Sequence, residues 1–136
     1  MSSVACSAVV LVGLAAIVGC GSSDAEPRSA FASLYADVFQ PAGCTAGYCH
    51  GGAHAANLDM ETEDRAYANL VRVAVTAKDC DVGARVQPGK PDESLLWRKV
   101  APGMAACGPK MPLGTLGLSS PDAERVRQWI AAGALR

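Results

Sequence analysis

A chain of 136 residues has room for one domain and is short for two. Half of its residues are apolar, 18% are charged and the formal net charge is -1, which excludes a basic nucleic-acid binder and a charged disordered tail. The charge is unevenly placed, because no Lys, Arg, Asp or Glu precedes Asp24.

The uncharged front carries an apolar run from Ala8 to Val18, 11 residues long. A bilayer-spanning helix needs about 20, so the run matches the hydrophobic region of a secretory signal instead. It leads into Ile17-Val18-Gly19-Cys20, which resembles the lipobox of bacterial lipoproteins. That resemblance implies a signal peptide over 1–19, cleavage before Cys20 and a diacylglycerol on its thiol. It further implies a lipidated tether over 20–28 and a folded domain over 29–136. The leader Met1 to Ser7 departs from the pattern in having no Lys or Arg. An ordinary signal cleaved near Gly21, or a buried apolar strand, are the competing readings. Export places the protein in a bacterial envelope, facing the periplasm or the cell surface. Cysteines there meet oxidising conditions. Of the six, Cys6 leaves with the leader and Cys20 takes lipid. Cys44, Cys49, Cys80 and Cys107 remain, which allows three complete pairings, or one pair plus two residues used otherwise.

Gly21 to Arg28 is polar, small and Pro-bearing, as a flexible tether is. Phe31, Leu34, Tyr35, Val38 and Phe39 fall on one helical face, with Ser29 as N-cap and Pro41-Ala42-Gly43 as the stop. Thr62 followed by Glu63 and Asp64 predicts a second helix start, with Tyr67, Leu70 and Val71 on its buried face. Pro88 to Pro91 is a turn, and a short helix follows over Asp92 to Val100, burying Leu95, Leu96 and Trp97. Residues 101–117 hold four Gly and three Pro and form no regular element. Ser120 as N-cap, Pro121 at the first helical position and Asp122 open the last helix. Val126, Trp129 and Ile130 are its core stripe, and Gly133 is placed to end it. No segment alternates convincingly with period two. The domain is therefore expected to be all-α, with about four helices and long loops. Much of its apolar content is Ala, which buries little area, so a disulfide or a large apolar cofactor would complete a thin core.

The densest chemical signal is Cys44-Thr-Ala-Gly-Tyr-Cys49-His50. A c-type haem is attached through two Cys thioethers, and the His after the second Cys binds the iron; the usual form is C-x-x-C-H. Four residues separate the cysteines here, and Gly43 and Gly47 supply permissive backbone for the extra length. Three other readings stay open. Cys44 and Cys49 could form a disulfide. They could bind zinc with His50 or His54, or with Cys80 and Cys107. The scaffold could also be haem-free. A haem that transfers electrons needs a second axial ligand, and a Met thioether is a common one. Met111 lies in the Gly/Pro-rich loop before the last helix, with Met104, Met60 and then His54 as runners-up.

Residues 30–134 as a whole resemble the class I c-type cytochromes, and most of all the small cytochrome c domains of exported bacterial lipoproteins. The resemblance is carried by the first amphipathic helix, Cys49-His50-Gly51-Gly52, Leu58-Asp59 and Val86-Gln87-Pro88-Gly89-Lys90-Pro91 leading to Ser94-Leu95. Met111-Pro112, Leu118-Ser119 and Trp129-Ile130-Ala131-Ala132-Gly133-Ala134 complete it. It implies a small cytochrome c-like fold around one covalent haem c. Cys44 and Cys49 would be the thioether residues, His50 the proximal iron ligand and Met111 the distal one. It further implies that the first and last helices cross near the haem edge, and that a backbone carbonyl, with Pro88 as the candidate, orients His50. Cys80 and Cys107 are then left to form a disulfide that pins the Met111 loop. With both axial positions filled the chain is expected to be an electron carrier with no catalytic residues. It would be a monomer that docks transiently with redox proteins, is anchored by lipid and binds no nucleic acid. The alternative is a haem-free, disulfide-stapled binding or structural lipoprotein module. A five-coordinate gas sensor or small peroxidase is the third reading, should Met111 not bind.

Overall fold

The computed structural model describes residues 28–105 and 107–136. The expected signal peptide, the lipid-bearing Cys20 and all of the tether but Arg28 lie outside the described residues. Among the described residues no helix is long and apolar enough to cross a membrane.

Four α-helices separated by loops make up the domain: α1 (Ala30–Leu34), α2 (Glu63–Leu70), α3 (Leu95–Val100) and α4 (Ser120–Ala131). The expected all-α class with about four helices is what the described chain forms. Ser29 caps α1, its Oγ accepting from the Ala32 N–H at 3.1 Å. The helix does not stay α-helical to Phe39. Residues Tyr35–Phe39 wind as a π-turn, with the Gln40 N–H donating to the Tyr35 carbonyl at 3.0 Å. The Cys44 N–H likewise reaches back five residues to the Phe39 carbonyl at 3.0 Å, so the helix delivers the chain directly to Cys44. All five residues of the expected apolar face are buried.

Thr62 caps α2 as expected, accepting from the Arg65 N–H at 3.3 Å. Ala66 and Leu70 are its fully buried residues, while Tyr67 and Val71 are half-buried. The expected helix over 92–100 divides into a 3-10 turn (Pro91–Glu93) and α3. The hydroxyl of Ser94 explains the break. Fully buried, it accepts from the Gln87 N–H and donates to the Lys90 carbonyl, both at 2.8 Å, so it ties the turn rather than extending a helix. Leu95, Leu96 and Trp97 are only half-buried; Val100 takes the core position. The cap of α4 is Ser119 and not Ser120, because the Ser119 Oγ accepts from the Asp122 N–H. Pro121 therefore sits at the second helical position. Gly133, at φ +101°, ends the helix as expected.

Period-two structure exists where none was expected. Val82, Ala84 and Val86 are buried while Gly83 is exposed and Arg85 half-buried. This extended segment is fixed by isolated bridges, Val86 to Val71, and Ala84 to both Ala74 and Ser94. The run is too short and too small-residued to be read as a strand from its sequence.

The core gathers around Phe31, which is wholly buried. Its ring lies 5.1 Å from that of Tyr67 and 5.2 Å from that of Trp129, with Phe39 and Tyr35 at 6.3 and 6.4 Å. Each such aromatic pair adds ~0.5–1.5 kcal/mol beyond area burial. Helices α1 and α4 are thereby packed together, and an Arg125–Asp37 pair at 3.3 Å crosses their outer edge.

Candidate functional site

Directly after the π-turn the chain coils through 43–51 in a series of tight turns. Gly43 adopts the left-handed conformation, at φ +77°, where a side chain would be strained. Gly47 does not need that freedom, contrary to the expectation for both glycines. The critical glycine is Gly51: a Cβ there would stand 2.1 Å from the Thr45 carbonyl oxygen. The His50 N–H donates to the Cys44 carbonyl at 3.2 Å, which folds the six-residue Cys-to-Cys segment back on itself.

A cleft of about 850 Å³, its open mouth included, lies between this coil and α3. Cys44, His50 and Met111 all line it, together with Met60. The walls between them are mainly apolar, with Phe39, Leu58, Leu70, Leu96 and Val100 among them. Cys49 is half-buried and does not line the cleft. Met104 and His54 do not line it either. Met60 is bonded by its N–H to the His50 carbonyl at 2.7 Å, so it belongs to the wall that carries His50. Met111 is tied to α3, its N–H donating to the Lys99 carbonyl at 2.9 Å.

The His50 ring is held by one decisive contact. Its Nδ1 lies 2.9 Å from the Ala55 carbonyl oxygen. A carbonyl only accepts, so Nδ1 carries the proton and the neutral ring keeps its lone pair on Nε2. The orienting carbonyl is thus that of Ala55 and not of Pro88. A carbonyl five residues away is reachable because the loop turns back sharply through left-handed residues. Burial pushes the His50 pKa below its usual value; the Ala55 carbonyl opposes this, the nearby Arg85 guanidinium adds to it and the Leu58 backbone opposes it. The ring is therefore kept neutral, the form a metal requires.

Comparison with known proteins finds no matching family model, curated protein or solved structure.

The cleft is electrostatically one-sided. Among the described residues, Arg85 and Lys99 are its charged lining residues and no Asp or Glu lines it. An apolar hollow with cations and no acid suits a flat apolar molecule bearing carboxylates. Sequence reasoning missed both cations. No local signal marked Arg85, because the run over 82–86 that places it is too short to be read as a strand.

Cys80 and Cys107 form a disulfide, with Cα atoms 5.3 Å apart. Cys44 and Cys49 are free thiols. Burial, and then the neighbouring Cys49, push the Cys44 thiol up to about 11. The disulfide leaves no Cys80 or Cys107 thiolate for a zinc site. Two lysines secure the same loop: Lys99 Nζ donates to the Cys107 and Pro109 carbonyls, and Lys110 Nζ to those of Arg98 and Ala101. Outside the cleft, His54, Asp59 and Glu61 bring possible ligand atoms within 4.8 Å of one another. Arg65 already bridges the two carboxylates there.

Proposed function

We propose that the chain is a monohaem c-type cytochrome that carries single electrons from a lipid-anchored position on a bacterial envelope membrane, as the resemblance to class I cytochromes implies. The observation that carries the reading is the convergence of Cys44, His50 and Met111 on one mainly apolar, acid-free cleft. The residues present fit a haem in four respects. Cys44 is a free thiol on the cleft wall, and Cys49 is a second free thiol close by in the chain. His50 directs its lone pair to Nε2. Met111 lines the same cleft and is tied to α3 through the Lys99 carbonyl. No Asp or Glu among the described residues lines the cleft to repel porphyrin carboxylates.

In this reading Cys44 and Cys49 would hold the porphyrin by thioethers, and His50 and Met111 would bind its iron. When bound, the haem supplies the Fe(III)/Fe(II) couple. The protein's own contribution is positional. The Ala55 carbonyl fixes the His50 tautomer and ring plane and raises its donor strength. Phe39, Leu58, Leu70 and Val100 keep water from the cleft. The cross-linked, lysine-anchored loop keeps Met111 from swinging out. With His50 and Met111 both bound to the iron, no position would be left for a substrate, which supports electron carriage through transient contact with redox proteins.

The test is protein exported in a host that matures c-type cytochromes. The expected product is coloured, keeps its pigment through acid-acetone extraction and shows an intact mass raised by one haem. A colourless, compactly folded product would leave the haem-free stapled module as the reading.

A further inference from the structure

We propose that Arg85 is the positioning residue of the site: by gripping the 56–57 backbone it holds the Ala55 carbonyl against His50 Nδ1. The inference deepens the haem reading, in which His50 is the ligand, but the geometry it uses is that of the polypeptide alone.

The backbone of Arg85 is fixed on both sides. Its N–H donates to the Val73 carbonyl at 2.8 Å, and its carbonyl accepts from the Leu96 N–H at 2.9 Å. From this base the guanidinium reaches three carbonyls. Nη1 donates to Asn69 at 2.9 Å, and Nη2 to Ala56 and Asn57 at 3.1 and 3.0 Å. No carboxylate pairs with Arg85 among the described residues, so the charge is turned wholly on backbone oxygens. Such charge-assisted bonds are roughly twice as strong as neutral ones.

The segment it grips has reason to need holding. His54, Ala56 and Asn57 all have left-handed backbone, at φ 46°, 57° and 55°. None is glycine, and the conformation is costliest at Ala56, since Asn and His tolerate it better. Left alone, such a loop would relax toward ordinary conformations and carry the Ala55 carbonyl away. Ala55 precedes the gripped residues directly, and its carbonyl is the acceptor for His50 Nδ1 at 2.9 Å. Arg85 therefore acts on His50 through two intervening backbone links. Its flat fork is essential, because a lysine ammonium offers one point and cannot span carbonyls on both Asn69 and the 56–57 loop.

The test is nitrogen-15 histidine NMR on the full chain at a pH where the ring is neutral. Only two histidines are present, His50 and His54, so assignment is direct. The wild type is expected to show His50 as the Nδ1–H tautomer with slow solvent exchange. Arg85→Met and Arg85→Lys are both expected to mix in the Nε2–H tautomer and to speed Nδ1–H exchange by roughly tenfold or more. In haem-loaded protein both are expected to raise the reduction potential, since a weaker His50 donor stabilises Fe(III) less. A wild-type tautomer and exchange rate in both variants overturns the proposal. Full rescue by Arg85→Lys also overturns it, because charge alone would then suffice. Should Arg85→Met fail to fold, Arg85→Lys decides. A chain that proves haem-free removes the cytochrome reading but leaves the tautomer measurement with the same meaning.

Discussion

Removing the cross-link through the double change Cys80→Ala, Cys107→Ala is expected to lower stability by about 3.5 kcal/mol. The two cysteines are 27 positions apart. In the chain-entropy model, closing such a loop removes ~12 cal/mol/K from the unfolded ensemble, which is ~3.5 kcal/mol at 25 °C. For a domain of about a hundred residues, with ~2.1 cal/mol/K of unfolding entropy per residue, the loss corresponds to a fall in Tm of ~17 °C. The folded loop is not expected to move, because Lys99 still bonds the Cys107 and Pro109 carbonyls, and Lys110 those of Arg98 and Ala101. The effect therefore resides in the unfolded chain. Urea unfolding followed by Trp fluorescence checks it: the midpoint should fall and the m-value should rise, since the freed chain exposes more surface. A loss below ~1 kcal/mol with an unchanged m-value would refute the reasoning. A full loss accompanied by displacement of the Met111 loop would show that the lysine anchors do not hold the loop without the cross-link.

Other outcomes follow from named contacts. Ser119→Ala is expected to cost about 1 kcal/mol, as loss of an N-cap does, while Ser120→Ala changes stability by a few tenths; thermal unfolding of the two variants separates them. Tyr35→Phe removes a hydroxyl that donates to the Met60 carbonyl at 3.0 Å and to that of Glu61 at 3.1 Å. It should cost ~1–2 kcal/mol in urea unfolding, because a buried carbonyl loses its donor. In protein lacking haem, Cys44 titrates near 11. An acid with a raised pKa is protonated below it, so the thiolate is ~0.1% of Cys44 at pH 8. Alkylation of Cys44, read by peptide mass analysis, should accelerate tenfold per pH unit and level off near pH 11. In haem-loaded protein Met111→Ala is expected to abolish the low-spin ferric spectrum, whereas Met104→Ala leaves it unchanged, since Met104 does not line the cleft.

Local signals were sufficient for much of the architecture. The apolar face from Phe31 to Phe39, the Thr62 cap with its acidic first turn, the stripe of Val126, Trp129 and Ile130 and the Gly133 stop are each contained within a few consecutive residues. Physics acting over one or two helical turns decides them. The cysteine count limited the pairings in the same way, and spacing alone marked Cys44, Cys49 and His50 as a unit. Where competing caps stood side by side, as at Ser119 and Ser120, local rules left a one-residue ambiguity that the structure resolves in favour of Ser119.

What the chain order could not supply was anything made by residues distant in sequence. The carbonyl that orients His50 belongs to Ala55, and the loop that presents it is held by Arg85, some thirty positions further along. The cleft's acid-free character emerges only when Arg85 and Lys99 meet the wall that bears Cys44 and His50. Hydrogen bonds of this kind depend on positions within a few tenths of an ångström, and only the closed tertiary structure sets them. Composition and periodicity therefore determined which elements form and which side chains could bind, while long-range packing decided which backbone oxygens hold them in place.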